Sequence, residues 1–314
     1  MESLIGDWVM QFMPVHTDNP PVPVEPPSSF LLGNKWMDYG LAIAAALVIP
    51  VVRSVLRSTV YEPVGMALMF SGRQASALTG KQKERLKKWN ESFWKMSIFL
   101  SFTILALAIS VGELWFWDTR YFWLGCNQFP CNLTVSRGLL VFYCIETGFY
   151  IQAIHFLAVH EVRRKDWLEC MIHHCAAVAL LFYSYSVNFT RVGVMIMLVH
   201  DASDIFLEAA KLARYAKAQV LATGLFVVFA IIWVITRNVI FPFVLIRSTM
   251  TETLHYAHLN NISAEPHYTV LNSMLILLEI LHMYWTYLIF KIIWRQVKGG
   301  DARDIREDDS DNDD

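Results

Sequence analysis

The chain has 314 residues, of which 55% are hydrophobic and only 17% are charged. Soluble domains are about a quarter charged, so this composition excludes an ordinary soluble protein. The 26 basic and 28 acidic residues leave a net charge of −2, without the basic field that attracts nucleic acid. DNA and RNA are therefore excluded as partners. Five cysteines without a CxxC pair also exclude a disulfide scaffold and a zinc site.

The N-terminal residues 1–35 are rich in proline, which precludes an early helix, and they lack the features of a signal peptide. We expect an extended tail here. At the other end, residues 299–314 include eight Asp or Glu, so we expect a disordered acidic tail. Ser310 lies in this acidic context and is a candidate phosphorylation site.

Between these tails, seven stretches are long and apolar enough to cross a membrane, which needs about 20 mostly apolar residues. They cover residues 36–53, 94–116, 138–159, 171–187, 192–210, 219–246 and 270–294. We therefore predict an all-α integral membrane protein with about seven transmembrane helices. Polar residues interrupt the fourth and fifth stretches and only a short turn joins them, so a single re-entrant hairpin is an alternative there.

Basic residues concentrate on alternate connections and predict the orientation of the chain. The connection from Arg53 to Lys95 holds nine Lys or Arg, and with the segments at 163–165, 211–217 and after residue 290 the total reaches 20 of 26. Because short basic connections stay in the cytosol, this side is predicted to be cytosolic. The N-terminus is then lumenal and the C-terminus cytosolic.

The opposite, lumenal side carries candidate modification sites. Three N-x-S/T triplets fall there, which makes the protein a candidate glycoprotein. Their asparagines are Asn132, Asn188 and Asn261. Cys126 and Cys131 lie in the same region and are candidates for a disulfide in an oxidising lumen.

Ionisable residues within the predicted spans concentrate between positions 173 and 211, and such residues tend to line a cavity or a reaction path. In the second half of this stretch they recur at helical spacing, so they share one face of a helix. That face carries His200, Asp204, Glu208 and Lys211. If the fourth and fifth spans form an antiparallel hairpin, His174 lies level with Asp204. Three imidazoles and two carboxylates are then predicted to meet in the cytosolic half of the membrane.

Three interpretations of this cluster are considered. The polar groups could hold helices together by hydrogen bonds alone. A carboxylate that bonds one ring nitrogen leaves the other nitrogen basic, so His200, oriented by Asp201 or Asp204, suits proton abstraction in acyl transfer. An iron site fits poorly because the sequence has no repeated HxxxH or HxxHH box, and we expect no metal.

Residues 81–95 form a basic segment that contains two tryptophans. Such a segment is typical of a cytosolic interfacial helix that contacts anionic headgroups. Attraction of the phosphates of a large anionic cofactor is an alternative role.

The stretch from His173 to Lys211 resembles the Lag1 motif of the ceramide synthases, in the family with the TRAM/Lag1/CLN8 (TLC) domain. The motif has a histidine pair, then SY, then N and R at a turn, then HDxSDxxLExxK. These positions are His173, His174, Ser184, Tyr185, Asn188, Arg191, His200, Asp201, Ser203, Asp204, Leu207, Glu208 and Lys211. The broader similarity to this family begins near Glu91 and extends to about Trp294. Without a homeobox-like insert after the first span, the chain looks most like plant or other non-animal members.

The resemblance implies a domain organisation. Residues 1–35 form the lumenal tail, 36–80 the first transmembrane helix with a basic cytosolic loop, 81–298 the catalytic domain and 299–314 the acidic tail. The domain is expected to be a helical bundle around an internal cavity, in the endoplasmic-reticulum membrane.

The resemblance also implies an activity, the N-acylation of a sphingoid base by acyl-CoA to give dihydroceramide or ceramide. Acyl-CoA is then the co-substrate, no cofactor is tightly bound, and a homo- or hetero-dimer in membrane lipid is a further hypothesis. Carried over by position, the catalytic residues are His173, His174, His200, Asp201 and Asp204. The other motif residues are expected to support the site or bind substrate. The alternative is a non-catalytic lipid-binding or chaperone-like membrane protein that shares the domain.

Overall fold

The computed structural model describes residues 35–71, 75–133, 135–159 and 165–298. The predicted extended tail, apart from residue 35, and the predicted acidic tail with Ser310 lie outside the described residues. All regular elements within the described ranges are helical.

The helices follow one another with short connections. Helix α1 (Lys35–Leu56) continues through a π-helical turn (Arg57–Tyr61) into α2 (Glu62–Phe70). The next four are α3 (Gly80–Ser110), α4 (Arg137–Val159), α5 (Trp167–Ser186) and α6 (Thr190–Tyr215). Helix α7 (Gln219–Trp233) continues through π-helical segments (Val234–Ile246 and Ser248–Glu252) into α8 (Thr253–Leu259). Helix α9 (His267–Val297) ends the described chain.

The described helices include six candidate spans by length and composition and a seventh by length alone. Six helical runs have the required length and apolar composition, and these run over Trp36–Phe70, Gly80–Ser110, Arg137–Val159, Trp167–Ser186, Gln219–Leu259 and His267–Gln296. The seventh, α6, has 26 residues, which is about 39 Å of helix and exceeds the 30 Å or so of a bilayer core. The prediction of about seven transmembrane helices is confirmed. Helices α5 and α6 are separate and both of spanning length, which favours two spans over the re-entrant hairpin.

Local sequence sets where the helices begin and end. Thr79 caps α3, since its hydroxyl accepts from the backbone N–H of Gln82 while the Gln82 side chain accepts from that of Thr79. The basic segment 81–95 is thereby the start of one continuous helix with the second span. Helix α5 ends at Ser186, and Asn188 in the following turn has a left-handed φ of 65°, which asparagine tolerates. The Phe189 N–H then donates to the Ser184 carbonyl at 2.8 Å, which closes the turn.

Six of the long helices form a closed ring. In order around the ring, each helix packs on the next, from α3 through α4, α5, α9 and α7 with its π-helical extension to α6 and back to α3. Helix α1 packs outside the ring against α4. Gly148 permits this close approach, because a Cβ there would lie 2.7 Å from the Ala42 carbonyl oxygen. The ring leaves space inside, which is where polar groups of several helices meet.

The two ends of the ring differ in chemistry. At one end, here the disulfide end, the connection between α3 and α4 covers the bundle and holds the bonded pair Cys126–Cys131. Trp123 of this connection donates to the Ser248 hydroxyl at 2.9 Å, which ties it to the extension of α7. At the other end, here the basic end, Lys211 and neighbouring basic residues lie in the last turns of α6.

Candidate active site

Two cavities meet inside the helix ring. The first, here the apolar cavity, has about 760 Å³ including its mouth and lies toward the disulfide end, with leucines of α5 and α9 in its wall. The second, here the basic cavity, has about 1580 Å³ including its mouth and is bordered by Lys95, Lys211 and Arg214. His173 and Tyr150 line both cavities. The reacting part of a ligand that extends into both cavities would therefore lie beside His173.

Four imidazoles cluster where the cavities meet. The ring centroids of His173 and His200 are 6.2 Å apart, and those of His200 and His282 are 4.9 Å apart. His174 lies 5.7 Å from His173 and, on its other side, 5.7 Å from the ring of Tyr150. Sequence analysis predicted three of these imidazoles together. The structure brings them together and adds His282 of α9.

His200 is held by groups other than those predicted. Its Nδ1 lies 2.6 Å from the Ile196 carbonyl oxygen, so Nδ1 is the protonated nitrogen of the ring. Its Nε2 lies 3.2 Å from Nε2 of His282. The prediction that Asp201 or Asp204 orients His200 is wrong. The Nδ1–H of His200 already donates a hydrogen bond to the carbonyl oxygen of Ile196, one turn back on the same helix.

Arg237 connects three helices at the centre of the site and is 3% exposed. It lies on the π-helical extension of α7, and its Nη2 donates to the His200 carbonyl oxygen at 2.7 Å and to Asp204 Oδ1 at 3.3 Å. Its Nη1 lies 3.1 Å from Nε2 of His282. Ser203 also accepts from Nη2, at 3.4 Å. The planar fork of arginine suits several fixed acceptors at once, so Arg237 fixes the registers of α6, α7 and α9 relative to one another.

Asp201 faces α4, where its carboxyl group lies within hydrogen-bonding reach of the Glu146 carboxyl group. Both residues are buried, and neither Glu146 oxygen has a donor among the described side chains and backbone. Two carboxyl groups can bond only if one of them carries a proton. The two predicted aspartates thus have different partners, a carboxyl group for Asp201 and a guanidinium for Asp204.

The histidine pair presents nitrogen atoms that are not engaged. Nδ1 of His173 and Nδ1 of His174 are buried and have no hydrogen-bond partner within the described ranges. The ring of Trp285 packs edge-on against His173 with centroids 5.5 Å apart, and Asp166 holds this indole through a 3.1 Å hydrogen bond to Trp285 Nε1. His173 is therefore positioned by packing while its ring remains chemically available.

The cations of the basic cavity are arranged along α3 and α6. Lys95 lies 3.1 Å from Glu91, and Lys211 lies 2.8 Å from Glu208. Asp204, Glu208 and Lys211 all line this cavity, whereas His200 lines the apolar one. The polar face of α6 that the spacing predicted therefore borders both cavities. Its first residue lines the apolar cavity and its later residues line the basic cavity.

The motif residues near the α5–α6 turn hold the scaffold. The Tyr185 hydroxyl donates to Asp38 Oδ2 at 2.8 Å and ties α5 to α1. Ser184 lies 3.4 Å from the Tyr143 hydroxyl, and Arg191 donates to the Tyr121 carbonyl oxygen at 2.8 Å. All of these contacts are made to other protein groups, so these residues hold neighbouring elements of the fold together.

The structure contradicts glycosylation at Asn188. This side chain is 1% exposed, and its Nδ2 donates to the carbonyl oxygens of Cys131 and Leu133. A glycan on that nitrogen would replace both bonds and has no space. Asn132 and Asn261 are exposed, so both stay predictions.

Sequence analysis missed Arg237 and Glu146 altogether, and it did not place His282 in this cluster. The signal was present, because each is an ionisable residue within an apolar span. They lie on three different spans, whereas the recognised residues are close in sequence. No group of three or more His, Cys, Asp or Glu in the described ranges has the geometry to hold a metal ion.

Comparison with known proteins places this site in a family. The sequence matches the TLC domain family, TRAM_LAG1_CLN8, over residues 88–291. It is 37% identical over 267 residues to ASC1-like protein 1 of Oryza sativa subsp. japonica, covering 84% of this chain and 86% of that protein. Ceramide synthase LOH1 of Arabidopsis thaliana is 33% identical over 293 residues, with 88% and 93% covered. Ceramide synthase hyl-1 of Caenorhabditis elegans is 36% identical over 231 residues, with 71% and 61% covered.

Proposed function

The chain belongs to the TLC domain family, and on that premise we propose that it transfers an acyl group from acyl-CoA to the amino group of a sphingoid base. The product is dihydroceramide or ceramide. The observation that carries the proposal is the position of His173, which lines an apolar and a basic cavity at once. An acyl-CoA has the same division, with a hydrocarbon chain on one side of its thioester and phosphates on the other.

Each part of acyl-CoA has a matching environment. The acyl chain occupies the apolar cavity, whose wall is formed largely by leucines and other apolar side chains of α5, α6 and α9. The phosphates lie at the basic cavity, where Lys95, Lys211 and Arg214 provide positive charge. In this placement the thioester carbon lies beside His173, and the long-chain amine arrives from the bilayer.

The reaction exchanges one bond for another at the acyl carbon. The amine nitrogen forms an amide bond with that carbon, the carbon–sulfur bond breaks, and one amine proton ends on the CoA sulfur. We propose that His173 attacks the thioester first and carries the acyl group as an acyl-imidazole, which the amine then resolves. Its unengaged Nδ1 and its burial between the cavities support this role.

In this proposal the residues around His173 either transfer a proton or position the reacting groups. His174 is the base that accepts a proton from the incoming amine, since its Nδ1 is also unengaged and its ring adjoins that of His173. His200, Asp204 and Asp201 hold the polar centre in register through Arg237 and the neighbouring carboxyl group. In this proposal they position the reacting groups.

The setting follows from the same proposal. The protein acts in the endoplasmic-reticulum membrane with its basic end in the cytosol, where acyl-CoA is available, and with the disulfide end in the lumen. It needs acyl-CoA as co-substrate and no tightly bound cofactor. Association into a homo- or hetero-dimer remains a prediction.

The test uses membranes that lack their own synthase, a labelled sphingoid base and a panel of acyl-CoAs. Wild type is expected to form labelled ceramide, and His173→Ala to lose at least about 100-fold in kcat. His155→Ala is the matched control, because this histidine is exposed on α4. No product from folded, inserted wild type with any acyl-CoA would favour the non-catalytic lipid-binding alternative.

A second measurement tests the covalent step. Without amine, wild type incubated with acyl-CoA should gain the mass of one acyl group, and His173→Ala should not. Normal turnover without any adduct would refute the acyl-imidazole and make His173 a base.

A further inference from the structure

The far end of the apolar cavity is polar. Five of its lining residues there carry hydrogen-bonding side chains, in contrast to the leucines of its middle part, and they are Thr249, Thr253, His267, Tyr268 and Asn272. They lie on α8, on the segment before it and on the first turns of α9. An unmodified acyl chain has no group that could use them.

Three of these five side chains are satisfied by protein groups. The Thr249 hydroxyl donates to Asn272 Oδ1 at 2.8 Å. His267 Nδ1 is hydrogen-bonded to the Tyr183 hydroxyl, also at 2.8 Å. These pairs close the end of the cavity between α5, α9 and the segment before α8.

The other two hydroxyl groups have no partner among the described residues. Thr253 is 3% exposed and Tyr268 is 9% exposed, and neither Thr253 Oγ1 nor the Tyr268 hydroxyl makes a hydrogen bond there. Both residues line the cavity. Buried hydroxyl groups are usually paired, so two unpaired ones at one cavity end point to a ligand that bonds them.

The distance from His173 fixes where on the ligand that group lies. Along α5, ten residues separate His173 from Tyr183 at the cavity end, which is about 15 Å. Along α9, fourteen residues separate Tyr268 from His282, which is about 21 Å. An extended hydrocarbon chain advances about 1.25 Å per carbon–carbon bond, so the interval holds about 12 to 17 bonds.

We infer that the cavity takes an acyl chain with a hydroxyl group at or next to its last carbon, about 14 to 18 carbons long, and that Thr253 and Tyr268 bind that hydroxyl. A hydroxyl both donates and accepts, so it can bond both side chains, whereas a methyl end would leave them unpaired. The inference rests on the proposed function, since it names the acyl group that the same site transfers.

The test compares hexadecanoyl-CoA with its ω-hydroxy derivative, in the membranes and with the labelled base described above. Wild type is expected to show a kcat/KM about tenfold higher for the hydroxylated chain. Tyr268→Phe with Thr253→Val removes both hydroxyls at nearly constant shape and should abolish this preference. Tyr287→Phe, at an exposed tyrosine of the same helix, is the control and should keep it.

Chain length supplies an internal check. Decanoyl-CoA and its ω-hydroxy derivative are too short to reach the polar end, so wild type should use them equally. Equal use of the two hexadecanoyl substrates by wild type, or a preference that the double variant retains, would overturn the inference and leave the proposed acyl transfer standing.

A binding measurement separates the inference from turnover. In detergent, ω-hydroxyhexadecanoic acid should raise the Tm of wild type more than hexadecanoic acid does, and the double variant should respond equally to both. Equal shifts in wild type would contradict the inference. If the difference appears in a protein that transfers no acyl group, the cavity binds the hydroxylated chain but the proposed function fails.

Discussion

Replacing Arg237 by lysine should separate positioning from substrate binding at this site. Lysine keeps the positive charge but has one compact ammonium group in place of the planar fork. Arg237 makes four contacts with α6 and α9, to His200, Ser203, Asp204 and His282. A lysine at this position cannot bridge acceptors on both helices at hydrogen-bonding distance.

The size of the effect follows from the bonds lost. Hydrogen bonds between membrane helices contribute on average about 0.6 and at most about 1.7 kcal/mol each. Loss of two of the four bonds therefore destabilises the protein by about 1–3 kcal/mol, which corresponds to a decrease in Tm of about 5 °C. Turnover should fall more, by about 100-fold, because an error of 1 Å or so in the placement of reacting groups has that effect.

The assay measures kcat, KM for acyl-CoA and Tm of the Arg237→Lys variant in parallel. We expect a lower kcat with an unchanged KM, since Arg237 lines the basic cavity but its hydrogen bonds are made to protein groups. Arg295→Lys, at an exposed position of α9, should behave as wild type. A kcat within about twofold of wild type at an unchanged Tm would refute the reasoning, and a raised KM with a normal kcat would assign Arg237 to the CoA phosphates.

Two further predictions concern packing and scaffold. Gly193→Ala should destabilise the protein by about 1–3 kcal/mol in thermal unfolding, because the new Cβ would overlap the buried Tyr143 hydroxyl, whereas Gly224→Ala, with open space at its Cβ position, should be neutral or slightly stabilising. Equal Tm values for the two glycine variants would contradict this packing. Tyr185→Phe removes the hydroxyl that donates to Asp38 and should lower stability by about 1 kcal/mol, and an unchanged Tm would mean that this bond between α5 and α1 contributes nothing.

The positions of the helices could be read from the sequence because hydrophobic length is a local property. The apolar stretches predicted the spans, and the structure extends several of them. Residues 81–95 join the second span in one helix, and the predicted sixth span continues to Leu259. In these extensions the composition is more polar, so hydrophobic length no longer marks the helix.

The candidate site could be predicted only in part, and the missing part has one physical cause. His200, Asp204 and Glu208 share a face of α6 because helical spacing places them there, and spacing is written in the sequence. Their partners lie on other helices, so no spacing connects them. His200 was expected to bond a neighbouring aspartate, but the carbonyl oxygen of Ile196 lies 2.6 Å from its ring nitrogen.

The sequence alone determined the class of the protein, its number of spans and the family motif, since these depend on composition and on residues close along the chain. Only the tertiary structure decided that Glu146 meets Asp201, that Arg237 links α6 to α9, and that His173 lies between two cavities. These facts depend on which helices are neighbours in the ring. That order is set by the packing of many side chains at once, which no single segment encodes.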